Sequence, residues 1–177
     1  GGAVGQGSAS DAYGLEPLYG CEYRVLNGDE GDNNAAQLHS IIDCGQGVYI
    51  TDYKGSLTNV KVPDKIDGVD VVYAAIGKND YDRDCGAVDV SSCRSLKCIE
   101  LSAPRSVKTG DANAALIDFR LTTGKRLVSL NLDALVNLDR FFCYDSLPAQ
   151  ISINKSKLRF FGLSKACVIY DNEDESR

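Results

Sequence analysis

Residues 116–163 read LIDFRLTTGKRLVSLNLDALVNLDRFFCYDSLPAQISINKSKLRFFGL. Three times in this stretch an apolar residue is followed, three and five positions later, by two more: Leu116, Phe119, Leu121; Leu138, Phe141, Cys143; Leu158, Phe161, Leu163. The same phrase stands upstream at Leu96, Ile99, Leu101. The leading residues step by 20, 22 and 20 positions (116−96, 138−116, 158−138). A fixed period in this range marks a solenoid, whose short unit buries its apolar face only by stacking on a neighbour. Such a chain builds an extended surface, and the reading therefore favours a surface over a catalytic centre.

A second phrase is interleaved with the first. Leu127, Leu130 and Leu132 begin 11 residues after Leu116 (127−116). Leu147, Ile151 and Ile153 follow 20 residues later (147−127), slipped by one position as a bulge would slip them, and Val107 and Cys167 hold the same column. Each coil thus lays down two strands on opposite sides of a thin core, with residues two apart sharing a face. Upstream, Leu57, Val60, Val62 and Val69, Val72, Ala74 fit the phrase, while residues 77–86 break it and read as an inserted loop. Pro63, Pro104 and Pro148 fall at strand edges, where no ladder donor is lost. The expected fold is mainly β with little helix: a short right-handed parallel β solenoid with an N-terminal β cap.

The cap is read over residues 13–56. It has alternating, β-branched and aromatic strands at 22–26 and 48–52, with a short helix at 34–42 in the polar loop between them. It seals the first coil, whose open end would otherwise expose core. The repeat coils run over 57–170, a charged tail over 171–177, and 13–177 make one domain. Residues 1–12 are Gly, Ala and Ser with almost no apolar bulk and read as a flexible linker or tag remnant. With no initiating Met, a trimmed chain is expected, its signal, anchor or neighbouring domain lying outside this sequence.

A net charge of −6 argues against nucleic acid, which demands a basic stripe. No apolar run is long enough to span a membrane as a helix. Seven cysteines are an odd number, so at least one is free or pairs between chains. Cys98 falls at an outward repeat position and Cys143 at an inward one, which suits packing thiols. Cys21 and Cys44 flank the N-terminal region and are a candidate disulfide pair.

The stretch ITDYKGSLTNVKVPDKIDGVDVVYAAIG (residues 50–77) and the short repeat LVSLNLDALVNLDRFFCYDSL (residues 127–147) resemble the leucine-rich repeat family, in its bacterial BspA-like surface branch. The resemblance spans about residues 48–170. It implies a secreted or cell-surface module for adhesion and protein contact. The Asn or Cys expected three residues after the last strand position is replaced by Pro104, Gly124, Ser146 and Ala166. In the family this residue satisfies backbone groups at the turn, so looser turns are expected here.

If Ile99, Phe119, Phe141 and Phe161 point inward, their neighbours form three outward columns. These are Cys98, Asp118, Arg140, Phe160; Glu100, Arg120, Phe142, Gly162; and Ser102, Thr122, Tyr144, Ser164. Asp118, Arg120, Arg140, Phe142, Tyr144 and Phe160 are the candidate binding residues, because aromatics and Arg dominate interface energetics. The expected partner is a protein or glycan. The alternatives are a structural spacer or oligomerisation domain of a larger surface protein, in which the patch meets a second copy or a neighbouring segment, and plain sheet decoration. The other face, with Ser129, Asn131, Gln150 and Ser152, is bland.

Asp80, Asp82 and Asp84 alternate as in the opening of a calcium loop, but Cys85 takes the glycine position and Ser91 the closing Glu. A solvated acidic loop is the default reading, and no metal or cofactor is expected. His39 is the only histidine. It has no serine motif, phosphate loop or C-x-x-C pair to work with, so no enzymatic activity is expected.

Overall fold

The computed structural model describes residues 3–7, 21–26, 44–52, 59–77, 86–122, 127–145, 147–163 and 168–171. Among them are strands β1 (Ala3–Gly7), β2 (Cys21–Leu26), β3 (Gly47–Asp52), β4 (Asn59–Lys61), β5 (Lys65–Ile66) and β6 (Val69–Ile76). There follow β7 (Ala87–Asp89), β8 (Cys98–Ser102), β9 (Ser106–Lys108), a 3-10 helix (Asp111–Ala115), β10 (Asp118–Thr122) and β11 (Ser129–Leu132). The last described strands are β12 (Arg140–Tyr144), β13 (Gln150–Ile153), β14 (Phe160–Leu163) and β15 (Val168–Asp171). One broad sheet runs β1-β2-β3-β6-β8-β10-β12-β14, and facing it are two three-stranded sheets, β4-β7-β9 and β11-β13-β15. From β3 onward every neighbour along the broad sheet is parallel, as are the strands of both facing sheets. The protein is a parallel β-solenoid of about five coils.

The repeat phrase sets the register. Ile99, Phe119, Phe141 and Phe161 lie side by side across β8, β10, β12 and β14. Leu101, Leu121, Cys143 and Leu163 follow two residues on. Opposite them, Leu130 pairs with Ile151 and Leu132 with Ile153. Apart from Phe161, which is half exposed, and Leu163, which packs against the core partly buried, these side chains belong to one continuous core from Val48 to Ile153. Fully burying a residue of this size contributes roughly 1.5–3 kcal/mol, and because each coil touches only its neighbours the core is a column. The one-residue slip between Leu127 and Leu147 is taken up before β13, so the ladder itself stays in step.

Two expectations need correction. In the first coil the inward set is Val71, Ala74 and Ile76, not Val69, Val72 and Ala74, because Ala74 pairs with Ile99 and Ile76 with Leu101. The run VVYAAI is apolar on both sides of the strand, which erases the period that fixed the register elsewhere. Of the turn positions read as lacking Asn or Cys, Gly124, Ser146 and Ala166 lie outside the described residues, while turns on the other arm of the coil hold buried side chains that bond to the main chain. Cys93 Sγ donates to the Val62 carbonyl at 3.2 Å, and the buried Asn113 amide donates to the Val90 and Cys93 carbonyls at 2.8 and 3.0 Å. Buried main-chain acceptors of one coil are thus met by a side chain of the next. Finally, residues 3–7, read as linker, form β1, antiparallel to β2. Main-chain pairing needs no apolar side chains, so a Gly-rich segment can join a sheet edge.

β2 pairs antiparallel with β3, and β3 pairs with β6 of the first coil, so the N-terminal strands extend the broad sheet. The helix expected at 34–42 lies outside the described residues.

Candidate functional site

The outer face of the broad sheet carries the expected columns. Tyr73, Cys98, Asp118, Arg140 and Phe160 are neighbours across β6 to β14, and Ala75, Glu100, Arg120, Phe142 and Gly162 form the next row. Ser102, Thr122 and Tyr144 make the third. Ser164 lies outside the described residues.

The face divides into two regions. At its N-terminal side it is covered: Cys44, Tyr49, Val72, Tyr73, Ala75 and Cys98 form a second buried cluster on the side away from the main core. The rings of Tyr49 and Tyr73 stack with centroids 5.7 Å apart, and the Tyr49 hydroxyl donates to the Gly45 carbonyl at 2.7 Å. Cys98 is joined to Cys44 by a disulfide, so it is neither a packing thiol nor is Cys44 the partner of Cys21. Cys44 enters β3, two strands from β8, which brings it over the outer column. Cys93 is a free thiol in the core; burial, then the charge of Asp64, pushes it up to about 12, so it stays protonated and inert. Cys143 is buried in the core.

Toward the C-terminal side the face opens. Between the regions lies a polar seam, in which the Tyr73 hydroxyl donates to the Glu100 carboxylate. Burial first, then the Glu100 charge, pushes the phenol well above its ordinary value. Asp118, a predicted binding residue, is fully buried and accepts from Arg120 Nε at 3.2 Å, so it forms the floor of the patch. Arg120 lies over the Phe142 ring, 5.1 Å from its centroid, and Phe142 stacks on Tyr144 at 6.0 Å with planes 3° apart. Arg140 lies over Phe160 at 4.1 Å. Tyr144 is 43% exposed and Phe160 41%, while Arg120, Arg140 and Phe142 are half-buried. The result is a ladder of guanidinium–ring pairs, with Phe142 packed over Gly162, where a Cβ would clash with its ring at 2.7 Å.

Two contributors escaped the sequence reading. Arg159 also lies over Phe160, at 5.3 Å, and donates to both carboxylate oxygens of Asp139 at 2.5 and 3.0 Å. That hydrogen bond holds the Asp139 carboxyl below its usual range and raises Arg159. Their signal was the column just before each strand, where Lys97, Ile117, Asp139 and Arg159 succeed one another through main-chain hydrogen bonds. The facing side is not uniform either. A cleft of about 560 Å³ opens where its two sheets part, with Lys108, Thr109, Asp111, Asn131 and Asp133 at its walls.

Asp80, Asp82, Asp84 and His39 lie outside the described residues. Among the described residues no group of three or more His, Cys, Asp or Glu is placed to hold a metal ion, and no helix is long and apolar enough to cross a membrane.

Fold and face together define a parallel β-solenoid with one sheet face half covered and half decorated by Arg and aromatic side chains. Comparison with known proteins finds no family, no curated protein and no solved structure that matches the chain.

Proposed function

We propose that this chain is a non-catalytic recognition module of a bacterial secreted or cell-surface protein, a leucine-rich repeat solenoid of the BspA-like kind. Its open outer face binds a protein or glycan in adhesion. The observation that carries the reading is the ladder on β10, β12 and β14: Arg120 over Phe142 and Arg140 over Phe160, with Tyr144 and Phe160 presented to solvent. Rings and guanidinium groups already held by stacking lose little freedom on binding, and such residues concentrate interface energy. The Cys44–Cys98 disulfide supports an oxidising, extracellular setting.

The test is to screen the protein against a glycan array and a panel of extracellular matrix proteins. The affinity of each hit is then measured for wild type, Phe160→Ala and Tyr144→Ala. Loss of a central aromatic contact should weaken binding by about tenfold or more. Unchanged affinity in both variants would sink the assignment of this face.

A further inference from the structure

On the arm facing the broad sheet, a repeated main-chain bond joins successive coils at the strand ends. The Val62 N–H donates to the Asp89 carbonyl at 2.9 Å, and the Val90 N–H to the Lys108 carbonyl at 3.0 Å. Val90, Gly110 and Leu132 hold one turn position, since the carbonyl of each accepts the N–H three residues on, from Cys93, Asn113 and Leu135. Val90 stands two residues after the inward Val88 (90−88), and Leu132 two after the inward Leu130 (132−130). Gly110 stands three after Val107, the ladder partner of Val88 (110−107). The extra residue is Thr109, directly after the Lys108 carbonyl that closes the last bond of the series. The next bond would run from the Gly110 N–H to the Asn131 carbonyl. Instead the Gly110 N–H donates to the Asn113 side chain at 2.9 Å, and the Asn131 carbonyl receives the Thr109 hydroxyl at 3.4 Å. An added residue interrupts a ladder in this way, and such bulges recur beside functional sites. β9 and β11 therefore fall in separate sheets, and the cleft of about 560 Å³ opens between them.

We propose that this cleft is a binding site for a neutral saccharide. Its walls carry both signs of charge, Lys108 at the end of β9 against Asp111 and Asp133. Among the described residues the Lys108 ammonium, the Asp111 carboxylate and the Asn131 amide nitrogen have no hydrogen-bond partner, and all three residues are exposed. Asp133 is held in place by the Ser152 hydroxyl. A sugar hydroxyl both donates and accepts, so one hydroxyl can meet a carboxylate and an ammonium or amide together. Opposite charges around one cavity disfavour a ligand of either charge. A bare cation would leave most of the volume unfilled, and no group of three ligating side chains converges among the described residues. Val107 and Ala134 add apolar surface for the C–H face of a pyranose ring. The volume falls within the range of small-ligand pockets, roughly 300–1,000 Å³. The site lies on a different sheet from the Arg–aromatic ladder, and the inference does not rest on that face.

Isothermal calorimetry of the full chain against neutral linear trisaccharides of glucose, galactose, mannose and N-acetylglucosamine tests it. At least one of them should bind at a single site per chain. Lys108→Ala and Asp111→Ala, both at exposed positions, should each weaken that binding by about tenfold, the effect of losing a hydrogen bond to a charged group. Ala134→Trp, which fills the cleft, should abolish it, with circular dichroism confirming the fold of each variant. Phe160→Ala and Tyr144→Ala should leave it unchanged, so that failure of the outer face and failure of the cleft are told apart. The proposal is overturned if none of these saccharides binds, if binding is indifferent to Lys108→Ala and Asp111→Ala, or if it is lost in Phe160→Ala instead. Heat with calcium chloride and none with any saccharide overturns it equally.

Discussion

The side chain of Asn113 is fully buried in a turn and makes three hydrogen bonds. Its amide donates to the Val90 and Cys93 carbonyls, and its oxygen accepts the Gly110 N–H at 2.9 Å. In the next coil Leu135 occupies the corresponding turn, with the same pattern of main-chain bonds on either side, and is equally buried. Bulk alone therefore fits this place; what Asn113 adds is partners for main-chain groups of its own and the preceding coil. We predict that Asn113→Leu destabilises the protein by about 2–4 kcal/mol, because the two carbonyls and one N–H lose a partner where water cannot replace it. Urea unfolding at neutral pH measures this, and a cost below about 1 kcal/mol would show that those groups find other partners. The residue was legible in principle. Cys93 and Asn113 each stand three positions before a leading leucine (96−93, 116−113), a spacing that places them at the corner of the coil ahead of each broad-sheet strand rather than after it.

At the scale of the strand, legibility tracked how cleanly one side of each strand is apolar. β8, β10, β12 and β14 alternate well enough that the inward and outward rows follow from spacing alone. β6 is buried over six successive residues, Val71 to Ile76, because the second cluster lies on its outer side, and there the register was misjudged by two. The link between the last two coils belongs to this scale as well. Asp139 precedes β12 and Arg159 precedes β14; their side chains form a two-point ion pair while the Asp139 carbonyl receives the Arg159 and Phe160 N–H groups. The Asp139 carboxyl is held below its usual value chiefly by the Arg159 hydrogen bond. A depressed carboxyl contributes stability above its unfolded value, about pH 4, and that contribution fades as pH falls through the folded value. Because Arg159 is 70% exposed, solvent screens the pair and its contribution is small. Urea midpoints of wild type should therefore exceed those of Asp139→Asn slightly at neutral pH, and the two should converge in acid below about pH 4. A gap that persists or widens in acid would contradict the assignment.

For the whole molecule, what the period could not supply was which part of the outer face is covered. Repeats are local, so stacking, strand rows and the length of the solenoid are all legible in spacing. The second cluster and the disulfide join residues that no repeat relates. The burial of Asp118 beneath its arginine is likewise a fact of three-dimensional coverage. The Cys44–Cys98 bond is the one link among the described residues that bypasses the coil-by-coil order: it ties the entry to β3 directly to β8, across 54 residues of chain. In a solenoid whose units touch only nearest neighbours, such a tie makes the N-terminal strands and the first two coils one cooperative block. On the chain-entropy account, closing a loop of this length contributes about 4 kcal/mol, with measured bonds commonly giving about 2–4 kcal/mol. Cys98→Ser should therefore lower stability by about 2–4 kcal/mol, and Cys44→Ser with Cys98→Ser should cost no more than either alone, since all three remove the same bond. Hydrogen exchange should show the loss concentrated in β3, β6 and β8, while β12 and β13, two coils beyond β8, keep their protection. Equal loss of protection from β3 to β13 would mean that the solenoid unfolds as one unit, and that the disulfide ties no separate block within it.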